Sequence, residues 1–299
     1  MAANTSIAWT HDTFNPWVGC QKVSPGCDFC YAEAWAKRSG SVQWGPHAER
    51  RRTTTGYWRK PLTWNAQASA SSQPRRVFCA SLADVFDNAV PAEWVVDLLD
   101  LIRSTPALTW MLLTKRPTNI RERLIGALVL LRQTHNRGLL HDWIQAWLQG
   151  RPPANVWLGT TVEAQIEADR RIPQLLAVKA RAYFLSCEPL LGPLDLRRYL
   201  IGHEEAGMVG QCIGWTPPVD LVIAGGESGP GARPYDLAWA RALQEQCKAA
   251  DVAFFHKQAG RFPRLDGKPL TLKHPKGEDM AEWPEDLRVR QIPEHLHAA

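Results

Sequence analysis

The chain has no apolar run approaching the about 20 residues that a membrane-spanning helix needs. Its first residues, Met1-Ala-Ala-Asn-Thr-Ser-Ile7, lack the basic and then apolar pattern of a secretory signal. The two absences together predict a cytoplasmic protein with no membrane partner. There is no internal repeat of fixed period and no low-complexity tract. Neither a Walker A sequence nor a Rossmann glycine fingerprint occurs, so the turn Gly225-Gly-Glu-Ser-Gly-Pro-Gly231 is weak evidence on its own. A second Cys-x-x-Cys knuckle is also missing, and the cysteine total, seven, is odd. A disulfide framework is a poor account of such a set in a reducing compartment.

What is present is a chain of 299 residues, 45% hydrophobic, enough for one large α/β domain or two small ones. Short apolar runs at 76–80, 108–113, 155–159, 182–186, 220–224 and 252–256 read as strands buried on both faces, as in a parallel sheet. Ser6-Ile-Ala-Trp9 is expected to open that sheet. Helical patterns alternate with the strands: 92–103 behind Pro91, a stretch from Pro117 to about Arg132, 163–177 interrupted by Pro173, and 237–250 capped by Asp236. The alternation argues for a barrel or an open doubly wound sheet. Residues 38–76, basic and Trp-containing, read as an insertion, and 134–151 as a short extra helix. The charged, Pro-rich tail 261–299 is expected to pack loosely or fray.

In such folds ligands gather at the C-terminal ends of the strands. The residues placed there are Ser81 and Asp84; Thr114, Lys115 and Arg116; Thr160, Thr161 and Glu163; Cys187 and Glu188; Gly225, Gly226 and Glu227; and Lys257. Each has a plainer role: Asp84, Glu188 and Glu227 as helix-capping or loop carboxylates, Lys115-Arg116 as a solvated pair, the glycines as a tight turn.

Cys20, Cys27 and Cys30 are harder to explain by packing. Three thiolates within eleven residues can hold three irons of a cubic cluster and leave the fourth open. Zinc is the structural rival, but a closed zinc site needs a fourth ligand, which His11 or a distant cysteine would have to supply. The ligand count favours the cluster. Cys79, Cys187 and Cys247 read as small buried hydrophobes, and Cys212 as a loop residue. Residues 1–76 carry ten Lys and Arg against four acids, so the positive charge gathers near the cysteine cluster and suggests an anionic substrate.

The set Asn15-Pro-Trp-Val-Gly-Cys20, Pro25-Gly-Cys-Asp-Phe-Cys-Tyr-Ala-Glu33, Ser81-Leu-Ala-Asp-Val-Phe86, Leu113-Thr-Lys-Arg-Pro117, Ser186-Cys-Glu-Pro-Leu-Leu-Gly192 and Gly225–Pro234 resembles a phage-associated family. That family is catalogued as a domain of unknown function and regarded as radical S-adenosylmethionine-like, distantly like spore photoproduct lyase. The usual cysteine spacing of such enzymes is C-x3-C-x2-C, and here it is C-x6-C-x2-C.

The resemblance implies a partial (βα)6-type barrel over 1–260, with 38–76 and 134–151 inserted and 261–299 as an extension. It implies a 4Fe-4S cluster on Cys20, Cys27 and Cys30, with S-adenosylmethionine on the open iron. Ser81 and Asp84 are then candidates for the methionine amino group, and Thr160, Thr161 and Glu163 for the ribose or carboxylate. Gly225 and Gly226 are placed near the adenine. Lys115 and Arg116 would meet the carboxylate or a substrate phosphate, and Lys115, Glu188 and Glu227 are the candidate catalytic groups. The Gly-Gly-Glu at 225–227 lies on a later strand than the one where such enzymes usually carry it.

Arg50, Arg51, Arg52, Trp58, Arg59, Lys60, Arg116 and Lys257 are the expected contacts to a nucleic acid, because cations neutralise phosphates and indole faces stack bases. The expected reaction modifies or rearranges a substituent on a pyrimidine, thymine-derived, in phage DNA within a bacterial host cell. The electron donor would be a flavodoxin or ferredoxin. A peptide or small metabolite as substrate, and a zinc-stabilised nucleic-acid-binding module without catalysis, are the alternatives.

Overall fold

The structure, a computed structural model, describes residues 5, 7–40, 42–133, 138–206, 212–216, 218–229 and 231–293. The chain divides into two units: 1–159 with 177–181 and 295–299, and 160–176 with 182–294.

The first unit opens with β1 (Asp12–Thr13) and β2 (Trp17–Val18), followed by α1 (Tyr31–Ser39) and β3 (Arg51–Arg52). Then come α2 (Thr55–Trp58), α3 (Lys60–Ser71), β4 (Arg75–Cys79), α4 (Ala92–Arg103), β5 (Leu108–Thr114), α5 (Asn119–Gln133), α6 (Gly138–Leu148) and β6 (Val156–Thr161), whose last two residues enter the second unit. Its parallel strands stand in the order β1-β4-β5-β6, with Thr13 opposite Phe78 and Val77 opposite Trp110.

The opening strand is not Ser6–Trp9. Ile7 to Trp9 leads into a turn, and Ser6 lies outside the described residues. The reason is packing: Trp9 is buried with its ring 4.6 Å from Phe78. The Thr10 hydroxyl donates to the Asp12 and Arg76 carbonyls, and the chain enters the sheet only beyond that bend. Helix α4 buries Val95, Val96, Leu98, Leu99 and Ile102, the stripe its 3.6-residue spacing predicts. Each such side chain contributes about 1.5–3 kcal/mol on leaving water.

The second unit contains α7 (Gln165–Leu176, with Pro173 inside it), β7 (Ala182–Cys187), α8 (Arg197–Leu200), β8 (His203–Ala206), β9 (Cys212–Thr216) and β10 (Leu221–Gly225). It continues through β11 (Tyr235–Asp236), α9 (Leu237–Ala249), β12 (Ala253–Gln258), β13 (Pro263–Leu265) and β14 (Lys268–Pro269). Parallel strands stand in the order β7-β10-β12, and β7 and β10 are buried along their whole length. That is why they read as continuous apolar runs rather than as alternation. Asp236 caps α9 by accepting from the Ala238 amide at 2.9 Å. Cys212 begins a strand and is not a loop residue. The chain is thus an α/β protein with parallel strands in both units.

The tail is packed against the second unit over its described residues, to residue 293, against expectation. The Gln291 amide donates to the Phe254 carbonyl and the His256 amide to the Val289 carbonyl, both at 2.9 Å, and Trp283 and Leu287 are buried. The residues that dock are Trp, Leu and Val, interspersed among the prolines and charges that made the segment look loose. No helix among the described residues is long and apolar enough to cross a membrane.

Candidate functional site

The cysteine loop leaves β2 through Gly19, which has φ +113°. A Cβ there would come within 3.1 Å of the Arg50 side chain, so glycine is needed both for the turn and for the approach. The Gly19 amide donates to the Leu82 carbonyl at 3.1 Å, which sets Cys20 beside the loop that follows β4. Pro25–Cys27 form one 3₁₀ turn, and Cys30 stands at the N-cap of α1, packed against Val18, Ala32 and Leu82. All three thiols are half-buried. Among the described residues no group of three His, Cys, Asp or Glu is drawn close enough to hold a metal ion. The donors are therefore gathered in one loop but not closed on a common centre.

Arg116 is the group that faces Cys20. Its Nη1 and Nη2 donate to the sulfur at 3.8 and 3.9 Å, its Nη2 donates to the Gln21 carbonyl at 3.2 Å, and its Nη1 pairs with Asp84 at 2.9 Å. Burial pushes the Cys20 thiol up to about 11; Asp84 adds to the rise and Arg116 opposes it. Asp84 is itself heavily engaged: it accepts from the Phe86 amide (3.0 Å), the Thr114 hydroxyl (2.6 Å) and the Lys115 amide (2.9 Å). Both carboxylate oxygens are thus held in place, and Asp84 serves to lock β5 and Arg116 onto the cysteine loop. Ser81 exchanges hydrogen bonds with Asn15, whose oxygen also accepts from the Leu82 amide at 2.8 Å. Lys115 follows β5, half-buried.

Burial also pushes the Cys79, Cys187 and Cys247 thiols up, as expected of inert core cysteines.

The basic insertion is less open than its composition implies. The Arg50 side chain is fully buried; its Nε pairs with Asp87 at 2.8 Å and its Nη1 donates to the Ala48 and Gly45 carbonyls. Arg50 is thereby corrected from a phosphate contact to a buried anchor, because its charge is matched and out of solvent. Arg52 pairs with Asp97 at 2.8 Å and lies 4.3 Å over the half-buried Trp58 ring. Lys60 sits 5.4 Å over Tyr57. Arg51 and Arg59 remain exposed and outside any ion pair among the described residues.

In the second unit, Thr160, Thr161 and Glu163 are buried. The Glu163 carboxylate pairs with Arg171 at 2.7 Å, and Arg171 donates to the Thr161 carbonyl at 2.8 Å. Glu188 pairs with Lys257 at 2.7 Å and accepts from the Ser186 hydroxyl at 3.3 Å. Glu227 takes three hydrogen bonds from Arg233, at 2.7, 3.0 and 2.6 Å, which closes the loop between them. A Cβ on Gly226 would meet the Tyr235 Cβ at 2.8 Å, and one on Gly225 would meet Glu188 Oε1 at 3.4 Å. Gly226 is therefore a packing glycine, whereas Gly225 leaves its face to Glu188.

Sequence reasoning missed Asp87, Asn15, Arg171 and Arg233. Arg171 did carry a signal: with Ala168, Ile172 and Leu175 it occupies the buried face of α7 at helical spacing. A cation at such a position needs a buried anion. Asp87 had no signal, since its partner is 37 residues away.

No curated protein and no solved structure matches the chain. One family model covers nearly all of it, from residue 4 to 285. On that match the chain belongs to the family described as "Protein of unknown function (DUF5131)".

Proposed function

We propose that the chain is a radical S-adenosylmethionine enzyme that modifies or rearranges a substituent on a pyrimidine base, with phage DNA as the substrate. The observation that carries the reading is the loop 20–30: three half-buried thiols with an arginine fork donating to the first of them. Thiolates are the donors that iron–sulfur clusters take. N–H groups aimed at a ligand sulfur are the outer-shell partners that tune such a site. The donor chemistry fits a 4Fe-4S cluster on Cys20, Cys27 and Cys30, and the loop would have to draw Cys27 and Cys30 toward Cys20 to bind it. When bound, a cluster of that kind would supply one electron for reductive cleavage of S-adenosylmethionine to methionine and a deoxyadenosyl fragment, the chemistry that makes unactivated C–H bonds reactive.

The chain's own residues have distinct parts in this reading. Arg116 lowers the cost of a thiolate at Cys20, and Asp84 keeps that guanidinium in place. Glu188 with Lys257, 2.7 Å apart, forms a paired acid and amine able to hold or pass a proton. Arg51 and Arg59 offer charge to a phosphate backbone. A flavodoxin or ferredoxin is the electron donor of this proposal.

Anaerobic purification tests it. The expected protein is brown, carries about four irons per chain, and releases 5′-deoxyadenosine from S-adenosylmethionine once reduced; Cys27→Ala loses iron and cleavage together. A colourless protein holding one zinc would replace the reading with the nucleic-acid-binding module. A loaded, reduced sample that forms no 5′-deoxyadenosine would end the radical mechanism.

A further inference from the structure

Beyond β12 the chain turns at Gly260 and builds the small sheet β11-β13-β14. Beside it lies a cleft of about 450 Å³, within the about 300–1,000 Å³ typical of ligand sites. Its floor is proline and leucine, and its charged lining residues are Arg261 and Arg264, with no acid among the residues that line it. Phe262, just before β13, is 47% exposed. Its carbonyl accepts from the Tyr235 amide at 3.1 Å, which fixes the backbone while the ring stays in solvent. Arg261 lies 5.5 Å from the ring centroid. Neither Arg261 nor Arg264 is in an ion pair among the described residues, whereas Arg233 and Arg241 of the same unit are both paired. Thr271 adds a hydroxyl to the rim, and Lys268 and Lys273 are exposed nearby.

An exposed phenylalanine ring with one guanidinium over it and a second lining the same cleft, both outside ion pairs among the described residues and set beside prolines and leucines, offers what single-stranded nucleic acid uses. Bases stack on the ring and phosphates meet the cations. A duplex offers no free base face to a ring of this kind, and an acidic peptide has no use for it. We propose that this cleft binds single-stranded DNA, with a base on Phe262 and backbone phosphates at Arg261 and Arg264. The proposal deepens the reading of a DNA base as substrate and rests on it. The cleft adjoins the Gly225–Arg233 loop, since the Arg261 amide donates to the Glu227 carbonyl at 2.7 Å.

The test uses the full-length protein without iron or S-adenosylmethionine and a fluorescein-labelled oligothymidylate of about 12 nucleotides, read by anisotropy over a salt series. Arg261→Ala with Arg264→Ala is expected to weaken binding at least tenfold and to flatten the log–log salt slope by about 1.4, two phosphates' worth. Phe262→Ala is expected to weaken it about tenfold, and Phe262→Trp to restore it. Arg264→Glu, at an exposed position, repeats the charge test, and unchanged thermal midpoints show that the variants fold. Wild-type affinity in all these variants would overturn the proposal. So would equal competition by duplex DNA, or by polyglutamate, which would mark an acidic protein as the partner. Lost oligonucleotide binding with deoxyadenosine still formed would sink the cleft alone. Retained binding in a protein that takes up no iron would sink the radical reading alone.

Discussion

Residues 50–60 and residues 261–273 are both rich in cations and both include exposed aromatic or half-buried ring surface. The first segment has Arg50, Arg51, Arg52, Arg59 and Lys60 with no acid, and the second has Arg261, Arg264, Lys268 and Lys273 with one, Asp266. Their charges are placed in opposite ways. In the first, Arg50 and Arg52 turn inward onto Asp87 and Asp97, and the rings of Trp58 and Tyr57 carry cations from the same segment. In the second, Arg261 also lies over a ring of its own segment, Phe262, but both arginines are exposed and neither is in an ion pair among the described residues. The count of basic residues therefore measures neither region's capacity to bind a polyanion. What decides is whether an anion elsewhere in the chain has already been assigned to each cation.

The comparison breaks first at Arg50. Arg50→Met leaves Asp87 buried without its partner and is expected to cost about 3–5 kcal/mol, read by urea denaturation at neutral pH. Adding Asp87→Leu should recover most of that loss, because a buried pair is replaced by apolar packing.

Beneath the second segment, stability lies in uncharged groups, and pH exposes it. Burial holds the His256 imidazole down at about 4 against an ordinary 6.5. It is neutral when folded and gains a proton more readily when unfolded. Stability is full above pH 6.5 and falls as the pH drops toward 4, by about 3 kcal/mol in all. Denaturation midpoints between pH 7 and 4 should show that slope, and His256→Gln should flatten it.

Gly226→Ala drives a methyl into Tyr235 and is expected to cost about 1–3 kcal/mol, seen as a lower thermal midpoint. Arg52→Ala, which loses a half-exposed pair and a cation–π contact, should cost no more than about 1 kcal/mol. At the far end, Arg264→Ala should leave stability within about 0.5 kcal/mol while oligonucleotide binding falls. If Arg264→Ala destabilised the fold as Arg50→Met does, the contrast between the two segments would be void.

Much of the framework was legible because it is local. Six apolar runs became β4, β5, β6, β7, β10 and β12, and Asp236 caps the helix it was expected to cap. The places where reasoning from sequence failed share a cause, which is a partner far along the chain. Arg50 reads as a surface cation until Asp87 is seen beside it. Trp9 reads as strand until Phe78 takes its ring. The tail reads as loose until Trp283 and Leu287 find β12. That polar groups follow each buried strand was legible. Their engagements, Asp84 with Arg116, Glu163 with Arg171 and Glu227 with Arg233, were not. For the cysteines, the sequence offers the donor set and the structure adds Arg116.

Two glycines in the second unit have a consequence for how the chain comes into being. A Cβ at Gly260 would strike the Glu227 carbonyl at 2.8 Å, and one at Gly277 would strike the Gly260 carbonyl at 2.6 Å. The Ala259 amide donates to the Gly277 carbonyl, and Trp283 locks onto that same carbonyl at 2.9 Å. Synthesis proceeds from the N-terminus, so the Glu227–Arg233 loop leaves the ribosome well before its last support. A nascent chain halted at residue 270 would already carry Glu188, Glu227 and Lys257, yet the seat of that loop would still be missing its final layer. The seat of the Glu227–Arg233 contact is thus completed only by residues 277–283, far along the chain from the residues they support.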